Sequence, residues 1–489
     1  KMLEYRKYTG AIMNKENNIS KLDRRRFIKK AGAATLVVGL SSQASTVSAS
    51  GKSGEKKQFD YDTIVIGGGF AGVTAARDLQ ENGYSCTILE ARNRLGGRTF
   101  YAPYGDTKVE LGGTWIHWMQ PFVWAEVMRY GLDIIETPGA TTERIIQLKN
   151  GKAFEPEISE VYSDLFAGGQ LLTDKAREVY PRPFDLNYMR KNVLDIEKYN
   201  IHELLQQLDL TDSQRSIFER LLAGTSSAAT TIAASEALRI FALCGHNIGT
   251  YFDVNTRYQL KDGTIALINK MIDDGKPEVK LGVVVKRVEQ KPDHVVLKTN
   301  SGEIFTARTV VCTAPLNVLK DIEFAPAIHP HKLAASKEGH PGRGFKVFAQ
   351  VKGEIPNALL YGDENEAIDD FFTYHVGKEN SLIVGFGYDR SNYDTKDEEQ
   401  LQATLRKYLP DIEVTGSFGY DWDLDPYSQG TWCLWRPGWN KKYGEGLRDG
   451  PEGRVFFASS DFCEGTRGYI DGAIGSGSKA AQQISELLG

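Results

Sequence analysis

The stretch Asp62-Thr63-Ile64-Val65-Ile66-Gly67-Gly68-Gly69-Phe70-Ala71-Gly72 decides the fold of this chain. Its first five residues are rich in β-branched side chains and predict a buried parallel strand. The glycines that follow have the GxGxxG spacing of a dinucleotide-binding turn. Gly67 permits the tight turn, Gly69 lets the backbone approach a pyrophosphate, and Gly72 lets the next helix pack against the strand.

The residues after the glycines complete a β-α-β unit. Val73–Gln80 have helical composition and end at Asn82-Gly83, a typical helix-end signal. Ser85–Leu89 predict a second strand. Glu90 follows it, at about the 20-residue distance that separates an acidic ribose ligand from the glycines. A GxGxxG pattern alone is weak, but this ordered series predicts an α/β fold with a Rossmann-like dinucleotide domain.

The composition is that of an ordinary globular protein. The 489 residues allow two domains with large cores, and the net charge of −5 gives no basic stripe. We therefore expect neither nucleic acid nor an anionic membrane surface as a partner. Five cysteines without CxxC spacing form no disulfide framework. The close histidine pair His329 and His331 lies in a polar stretch, so we expect no metal site.

The N-terminal region resembles a bacterial twin-arginine export signal. Arg24 and Arg25 precede the apolar run Ala31–Leu40, which is about half as long as a membrane-spanning helix. Val47-Ser48-Ala49 fits the small-residue cleavage pattern. We therefore predict that residues 1–57 are a signal region and linker, and that the protein is periplasmic without a membrane anchor.

The segment after Glu90 identifies the family. Ala91–Thr99 (ARNRLGGRT) places a second glycine pair between arginines, and in this position it resembles the extension of the flavin amine oxidase superfamily. Further stretches resemble the same family: Glu110–Trp115, Val310–Pro315, Trp422–Pro426, Gly430–Trp432, Phe457–Asp461 and Tyr469–Ala473. Three more are similar to its exported bacterial group of nicotine oxidases and pseudooxynicotine amine oxidases: Thr114–Pro121, Tyr180–Pro183 and Phe418–Trp422.

The resemblance implies FAD as the cofactor, with Arg94 and Arg98 contacting a second part of it. The cofactor contacts that it implies are Gly67, Gly69, Phe70, Ala71, Gly72, Glu90, Ala91, Arg92, Gly97, Arg98, Gly112, Gly113, Thr114, Trp115, Val285, Trp422, Asp461, Tyr469 and Ile470. In mitochondrial monoamine oxidases a cysteine just before an active-site aromatic carries the flavin covalently. Here Thr431 stands at that position, and Cys433 lies beyond the aromatic, so we expect non-covalent FAD.

The implied activity is amine oxidation, with a hydride passing from the carbon beside nitrogen to flavin N5. By motif position, Trp432 and Tyr469 are the two aromatic side chains between which the amine passes. Lys346 matches the family lysine that holds a water molecule against N5. Any single tryptophan or tyrosine is commonly a core residue, and a strand lysine commonly extends to the surface. The motif positions favour the catalytic interpretation.

The cofactor motifs occupy three separate blocks. We predict an FAD-binding domain from residues 58–140, 255–325 and 428–489. Residues 141–254, largely helical, and 326–427, of mixed composition, are predicted to form an α+β substrate domain inserted twice. The active site then lies between the two domains.

Two local patterns refine this layout. Leu281–Gln290 and His294–Thr299 both alternate apolar with polar residues and predict a hairpin, whose backbone reaches the adenine at Val285 by family resemblance. Thr211–Gln214 begins a helix with a capping box. The apolar stripe of that helix, which we expect to be core, comprises Ile217, Phe218, Leu221 and Leu222.

Three other functions have the same flavin signature. An L-amino-acid oxidase is disfavoured because Gly112–Ile116 lacks the carboxylate-binding arginine of a Gly-x-Met-Arg segment. A polyene desaturase is disfavoured by the paired aromatics Trp432 and Tyr469. A flavin-bearing redox partner without a substrate of its own remains as a further alternative. Four aromatic residues favour an aromatic or heteroaromatic amine, primary or secondary: Trp115, Trp118, Tyr251 and Phe252. The sequence leaves open whether oxygen or an exported redox protein takes the electrons, and whether the chain forms a homodimer.

Overall fold

The computed structural model describes residues 58–104, 107–224, 226–363, 366–388, 390–391, 393–448 and 450–489. The predicted signal region, 1–57, lies outside these residues, so export stays a prediction. Across the described ranges, no helix combines the length and the apolar character needed to cross a membrane.

The elements follow in order along the chain. The strands are β1 (Tyr61–Ile66), β2 (Cys86–Glu90), β3 (Tyr101–Tyr104), β4 (Thr107–Glu110), β5 (Trp115–Ile116), β6 (Ile134–Glu136), β7 (Arg144–Lys149), β8 (Lys152–Phe154), β9 (Tyr258–Leu260), β10 (Glu278–Leu281), β11 (Val285–Gln290), β12 (Val295–Thr299), β13 (Ile304–Cys312), β14 (Glu323–Ala325), β15 (Phe345–Lys352), β16 (Ala358–Tyr361), β17 (Asp370–His375), β18 (Asn380–Gly387), β19 (Val414–Gly419) and β20 (Val455–Phe457). The α-helices are α1 (Phe70–Glu81), α2 (Pro121–Tyr130), α3 (Ile158–Val179), α4 (Arg190–Ile196), α5 (Ile201–Gln207), α6 (Asp212–Glu219), α7 (Ala234–Leu243), α8 (Ile248–Thr256), α9 (Thr264–Gly275), α10 (Pro330–Glu338), α11 (Glu398–Arg406), α12 (Trp439–Lys442), α13 (Gly444–Arg448) and α14 (Ile470–Leu488).

The first sheet carries the dinucleotide turn. Its order is β10-β2-β1-β13-β12-β11-β14, and β20 also pairs with β13. β10, β2, β1, β13 and β20 run parallel, as in a Rossmann-like domain. All five residues of β2 are buried, as are the last four of β1, because helices cover the sheet. β13 therefore joins strands from the beginning, middle and end of the described chain.

The second sheet has the order β19-β15-β18-β17-β16-β7-β8. β15, β18 and β17 are antiparallel neighbours, and their register places Lys346 opposite Phe386 and Phe386 opposite Asp370. β7 and β8 come from residues 141–254, and the other strands come from 326–427. The division into two domains itself stays a prediction.

The start of the last helix is held in place by its neighbours. An added Cβ on Gly477 of α14 would lie 2.2 Å from the carbonyl oxygen of Ala71, so α14 packs directly on α1. Asp471 Oδ1 accepts hydrogen bonds from the backbone N–H groups of Phe122 (2.6 Å) and Val123 (2.9 Å) at the start of α2. These contacts fix Tyr469 and Ile470 relative to the first sheet.

Two sequence predictions are confirmed and one boundary is corrected. Thr211 and Gln214 form the predicted capping box of α6. β11 and β12 form the predicted antiparallel hairpin. Leu281, however, ends a separate strand, β10, which pairs with β2. Gly282 has a φ of 72° and breaks the chain between β10 and β11, a turn that periodicity could not reveal.

Candidate active site

A cavity of about 670 Å³ is lined by both large sheets and by helices α1, α7 and α8. It begins at the glycine turn after β1. It then passes the segment Gly112–Trp115 and ends among the helices of residues 141–254. Seventeen of the nineteen cofactor contacts expected from the sequence lie on its wall; the exceptions are Gly72 and Asp461. Lys346, Trp432 and Tyr469 lie on the same wall.

The glycine turn has the conformation that its sequence predicts. Gly67 has a φ of 104°, and an added Cβ would lie 2.4 Å from Thr313 Oγ1. Gly69 is the N-cap of α1, which has no side-chain cap and no acidic residue in its first turn. The first backbone N–H groups of α1 are thus available to a pyrophosphate. Gly72 lies behind the wall: an added Cβ would lie 2.0 Å from the carbonyl oxygen of Gly67.

Glu90 fixes the turn as well as facing the cavity. Its Oε2 accepts a hydrogen bond of 2.6 Å from the N–H of Gly68, and its Oε1 accepts one of 2.8 Å from the N–H of Arg92. Each carboxylate oxygen has a second lone pair available for a ribose hydroxyl. Glu90 can therefore still accept hydrogen bonds from ribose hydroxyls, which is the role predicted for it.

The three arginines after Glu90 differ in position. Arg92 lies on the wall and pairs with Asp425, Nη2 to Oδ1 2.5 Å. Arg98 also lies on the wall and pairs with Asp461, Nη2 to Oδ1 2.6 Å. Arg94 lies off the wall, and its guanidinium donates to the carbonyl oxygens of its own loop, including that of Gly97 at 3.1 Å. Arg94 thus supports its own loop, and its expected cofactor contact stays a prediction.

Asp461 likewise supports the wall from behind. It is fully buried, and its Oδ2 accepts a hydrogen bond of 2.9 Å from the N–H of Leu316 while its Oδ1 faces Arg98. Burial opposes ionisation, but the Arg98 charge and these hydrogen bonds hold the pKa of Asp461 below its usual value. In the structure Asp461 orients Arg98, and its predicted direct contact with the cofactor stays a prediction.

Lys346 is buried beneath the segment Gly112–Thr114. Its Nζ donates to the carbonyl oxygens of Glu110 (3.1 Å) and Gly112 (2.7 Å) and to Thr114 Oγ1 (2.8 Å). It also lies 4.9 Å from the ring centroid of Trp115. Burial lowers the pKa of Lys346 to about 7, and the Glu110 carboxyl opposes that shift. The lysine does not extend to the surface.

The two predicted cage aromatics are held from the helical side of the cavity. The indole N–H of Trp432 donates to Ser226 Oγ at 2.5 Å, and the hydroxyl of Tyr469 donates to Asn255 Oδ1 at 3.1 Å. An added Cβ on Gly468 would lie 3.0 Å from the Cβ of Trp432, so the two segments are in close contact. With their polar atoms bonded to Ser226 and Asn255, the rings present apolar faces to the cavity.

The helical end of the cavity was predicted incompletely. Ile217, Phe218 and Leu222 belong to the core as expected, and Leu221 packs against it. Leu221 and Leu222 also line the cavity, and they lie in a π-helical turn, Arg220–Gly224, that follows α6. Tyr251, Phe252 and Trp115 of the expected aromatic entrance line the cavity, whereas Trp118 does not.

Four charged residues of this end were missed by sequence reasoning: Glu236, Arg239, Asp370 and Arg467. Arg467 donates to both oxygens of Glu236 at 2.9 Å. Arg239 is buried, and its Nε and Nη1 have no hydrogen-bond partner within the described part of the chain. No local motif marks any of the four, because each acquires its position through a distant element.

A buried trio below the wall has the residue types of a metal site. Ligand atoms of His340, Cys433 and Asp461 lie within 4.8 Å of one another. Both Asp461 oxygens already accept hydrogen bonds, and burial raises the pKa of the Cys433 thiol well above its usual value. A metal would need the Cys433 thiolate, which burial disfavours. Our expectation of no metal stays a prediction.

Comparison with known proteins identifies the family. Residues 70–485 match the protein family described as "Flavin containing amine oxidoreductase". The chain belongs to this family. It is 39% identical to a pseudooxynicotine dehydrogenase of a Pseudomonas species, over 98% of this chain and 99% of that protein. It is 34% identical to a nicotine dehydrogenase of Pseudomonas putida, over 95% and 97%.

A solved structure of a putrescine oxidase triple mutant shares the fold, with a TM-score of 0.75 at 19% identity, covering 87% of this chain and 99% of that one. The protein is thus an FAD-dependent oxidoreductase acting on amines, as the sequence predicted. The cavity fits FAD: the uncapped start of α1 faces the pyrophosphate position, and Gly112 leaves no room for a side chain, since an added Cβ would lie 2.1 Å from the carbonyl oxygen of Arg98.

Proposed function

We propose that this protein oxidises an aromatic or heteroaromatic amine, primary or secondary, with FAD bound non-covalently. When bound, FAD accepts a hydride at N5 from the carbon beside the amine nitrogen, and the imine product hydrolyses to an aldehyde or ketone plus ammonia or an amine. The observation that carries the proposal is the convergence of Lys346, Trp432 and Tyr469 on the cavity beside Gly112–Thr114.

Trp432 and Tyr469 orient the substrate and exclude water. Both rings are anchored by hydrogen bonds to the helical side, so their faces are fixed before substrate binds. An approaching ammonium gains about 1 kcal/mol from such faces. The amine must lose its proton before its carbon is oxidised, and the apolar faces favour the neutral form.

Lys346 holds a water molecule in this proposal. As an ammonium it satisfies its three donors with Glu110, Gly112 and Thr114. With a pKa of about 7, the side chain is neutral above that pH and has a lone pair on Nζ. Loss of the proton also releases one of the three protein acceptors. A water molecule that donates one hydrogen to the lone pair and the other to the released oxygen is kept from bulk solvent by the neighbouring aromatic rings.

The proposal is tested by anaerobic mixing of the holoenzyme with a panel of amines while the flavin spectrum is recorded. The panel includes nicotine and pseudooxynicotine, which are named for the two relatives. We expect at least one aromatic or heteroaromatic amine to bleach the flavin much faster than buffer does. Bleaching by no amine would contradict the proposal and favour a redox-partner protein.

Oxidation of an L-amino acid is the second candidate, because of Arg239. Its buried guanidinium lines the cavity, and its Nε and Nη1 have no hydrogen-bond partner in the described chain. An arginine can bind a substrate carboxylate through two parallel hydrogen bonds. Adding aromatic L-amino acids to the same panel tests this candidate. It would be favoured if they bleach the flavin faster than the corresponding amines do, and if Arg239→Leu removes that difference.

The protein is exported by the twin-arginine route in this proposal, on the strength of Arg24, Arg25 and the apolar run Ala31–Leu40. Replacing both arginines by lysine in the full chain should leave active protein in the cytoplasm, and fractionation measures this.

The electron acceptor is oxygen or an exported redox protein. Reoxidation of the reduced holoenzyme by air, compared with a periplasmic extract, distinguishes them. The homodimer expectation is tested by light scattering.

A further inference from the structure

We infer that Asp370 forms a second substrate subsite, which binds a basic nitrogen at the far end of the amine. The inference rests on the proposed amine oxidation and specifies its substrate class. The substrate carries two nitrogens: the one beside the oxidised carbon, and a second that shares a proton with the Asp370 carboxyl group. The second is an aliphatic ammonium or a heteroaromatic nitrogen.

The register of the second sheet gives the position of Asp370. Lys346 on β15 is opposite Phe386 on β18, and Phe386 is opposite Asp370 on β17. Residues paired in this way project from the same face of a sheet. Neighbouring strands lie about 4.8 Å apart, so the Cα atoms of Lys346 and Asp370 are about 10 Å apart. All three residues line the cavity, together with Phe372.

The carboxyl group of Asp370 lacks a partner. In the parts of the chain that the structure describes, no hydrogen bond or ion pair reaches its side chain, although it is only partly exposed. Five groups surround it. The Arg220 guanidinium donates to Ser216 Oγ at 3.1 Å, Asp369 is the adjacent acid, and Tyr251, Tyr361 and Tyr408 contribute phenols. Burial raises the pKa of Asp370 to about 7, and Arg220 opposes the shift.

The other acids of the cavity wall are already bonded. Glu90 accepts two backbone N–H groups, Glu236 accepts Arg467, and Asp321 accepts the side-chain amide of Gln429 at 2.5 Å. Asp370 is the fourth acid on the described wall and the one with a free carboxyl group. Its position among Phe372, Phe386 and other apolar residues makes an unpaired charge costly, because no donor of the described wall is hydrogen-bonded to it.

A basic nitrogen removes this cost. An aliphatic ammonium donates to the carboxylate, and a heteroaromatic nitrogen accepts a hydrogen bond from the protonated carboxyl group. In both cases one proton lies between an oxygen of Asp370 and the nitrogen. A substrate with an apolar far end leaves the carboxyl group unpaired, and a polar group left unpaired in a site is a strong basis for rejecting such a substrate.

The test uses the holoenzyme and pairs of amines that differ only in the second nitrogen: 4-methylbenzylamine with 4-(aminomethyl)benzylamine, and phenylbutylamine with pyridylbutylamine. Anaerobic flavin reduction gives the concentration for half-maximal rate. We expect it to be at least tenfold lower for the member with the second nitrogen. Asp370→Leu should remove the advantage in both pairs. Asp370→Asn should remove it for the diamine and retain part of it for the pyridine, to which an amide still donates.

Asp369→Asn is the matched control, because it removes the adjacent acid, which does not line the cavity; both advantages should persist. Flavin absorbance and thermal unfolding verify that each variant is folded. Equal half-maximal concentrations within both pairs in the unmodified protein overturn the inference even if a variant fails to fold. So does an advantage that survives in Asp370→Leu. If no amine reduces the flavin, the proposed function fails and the subsite with it, whereas equal reduction by paired amines removes the subsite alone.

Discussion

Lys346 Nζ donates a hydrogen bond of 2.7 Å to the carbonyl oxygen of Gly112. This bond joins the second sheet to the segment predicted to pass along the flavin, and it places an ionisable amine where burial lowers its pKa to about 7. The relationship therefore has a measurable effect on stability.

The free energy of unfolding should rise with pH between about 7 and 10.5, and Lys346 is the cause. In this window the unfolded chain, with the usual pKa of 10.5, binds the Lys346 proton, and the folded chain does not. One such proton changes stability by up to about 1.4 kcal/mol per pH unit. Urea unfolding across this range should show that Lys346→Met lacks this component. Lys352→Met, at the exposed end of the same strand, should retain it.

Trp432→Ala should slow flavin reduction by tenfold or more while FAD stays bound. The reason is that Trp432 supplies a ring face to the substrate and its N–H is bonded to Ser226, away from the cofactor. Stopped-flow reduction and flavin content measure the two effects. Tyr469→Phe is the control: it removes the hydroxyl bonded to Asn255 but retains the ring, so reduction should change little. Loss of FAD from Trp432→Ala would mean a structural role instead.

Arg98→Ala should cost about 3–5 kcal/mol of stability and weaken FAD binding, because it leaves the buried Asp461 charge without its partner. Chemical denaturation of the apoprotein and flavin titration measure the two losses. Adding Asp461→Asn to Arg98→Ala should restore much of the stability, since it removes the unpaired charge, but it should not restore the cofactor contact. Equal stability of the single and double variants would speak against this pairing.

Acid precipitation should release all of the FAD into the supernatant. Thr431 stands where a covalent link would need a thiol, and the Cys433 side chain is fully buried off the cavity wall. Absorbance of the supernatant measures the released FAD, and the mass of the precipitated chain shows whether any FAD is attached to it. A chain heavier by one FAD would disprove non-covalent binding.

Gly72→Ala should abolish FAD loading, because its Cβ would lie 2.0 Å from the carbonyl oxygen of Gly67 and would push α1 away from β1. Gly450→Ala is the control, since nothing lies within 4 Å of the added atom. Flavin content after purification compares the two.

The sequence predicted the dinucleotide half of the site well, because that half is encoded locally. From Gly67 to Glu90 each residue owes its role to neighbours within one β-α-β unit, and the structure reproduces their order and conformation. Trp432, Tyr469 and Lys346 were found through motif resemblance, and they share one cavity. Their catalytic roles stay predictions.

Most of the helical half of the site could not be predicted from the sequence, because its residues come together only through elements that are distant along the chain. Asp370 belongs to no recognisable motif. It shares a sheet face with Lys346 only because β17 pairs with β18, and β18 pairs with β15. Leu221 and Leu222 were expected in the core, and nothing in the sequence indicated that they also line the cavity. The cofactor contact of Arg94 stays a prediction, because the motif does not show that its guanidinium bonds to its own loop.

The central position of β13 has a consequence for biosynthesis. β13 receives β1 from the start of the described chain and β20 from near its end, and the cavity wall extends to Ala473. A nascent chain still attached to the ribosome cannot close this wall until its last segment has emerged. Retention of the yellow chromophore therefore reports that the chain has been synthesised through Ala473 and that β1 and β20 have both joined β13.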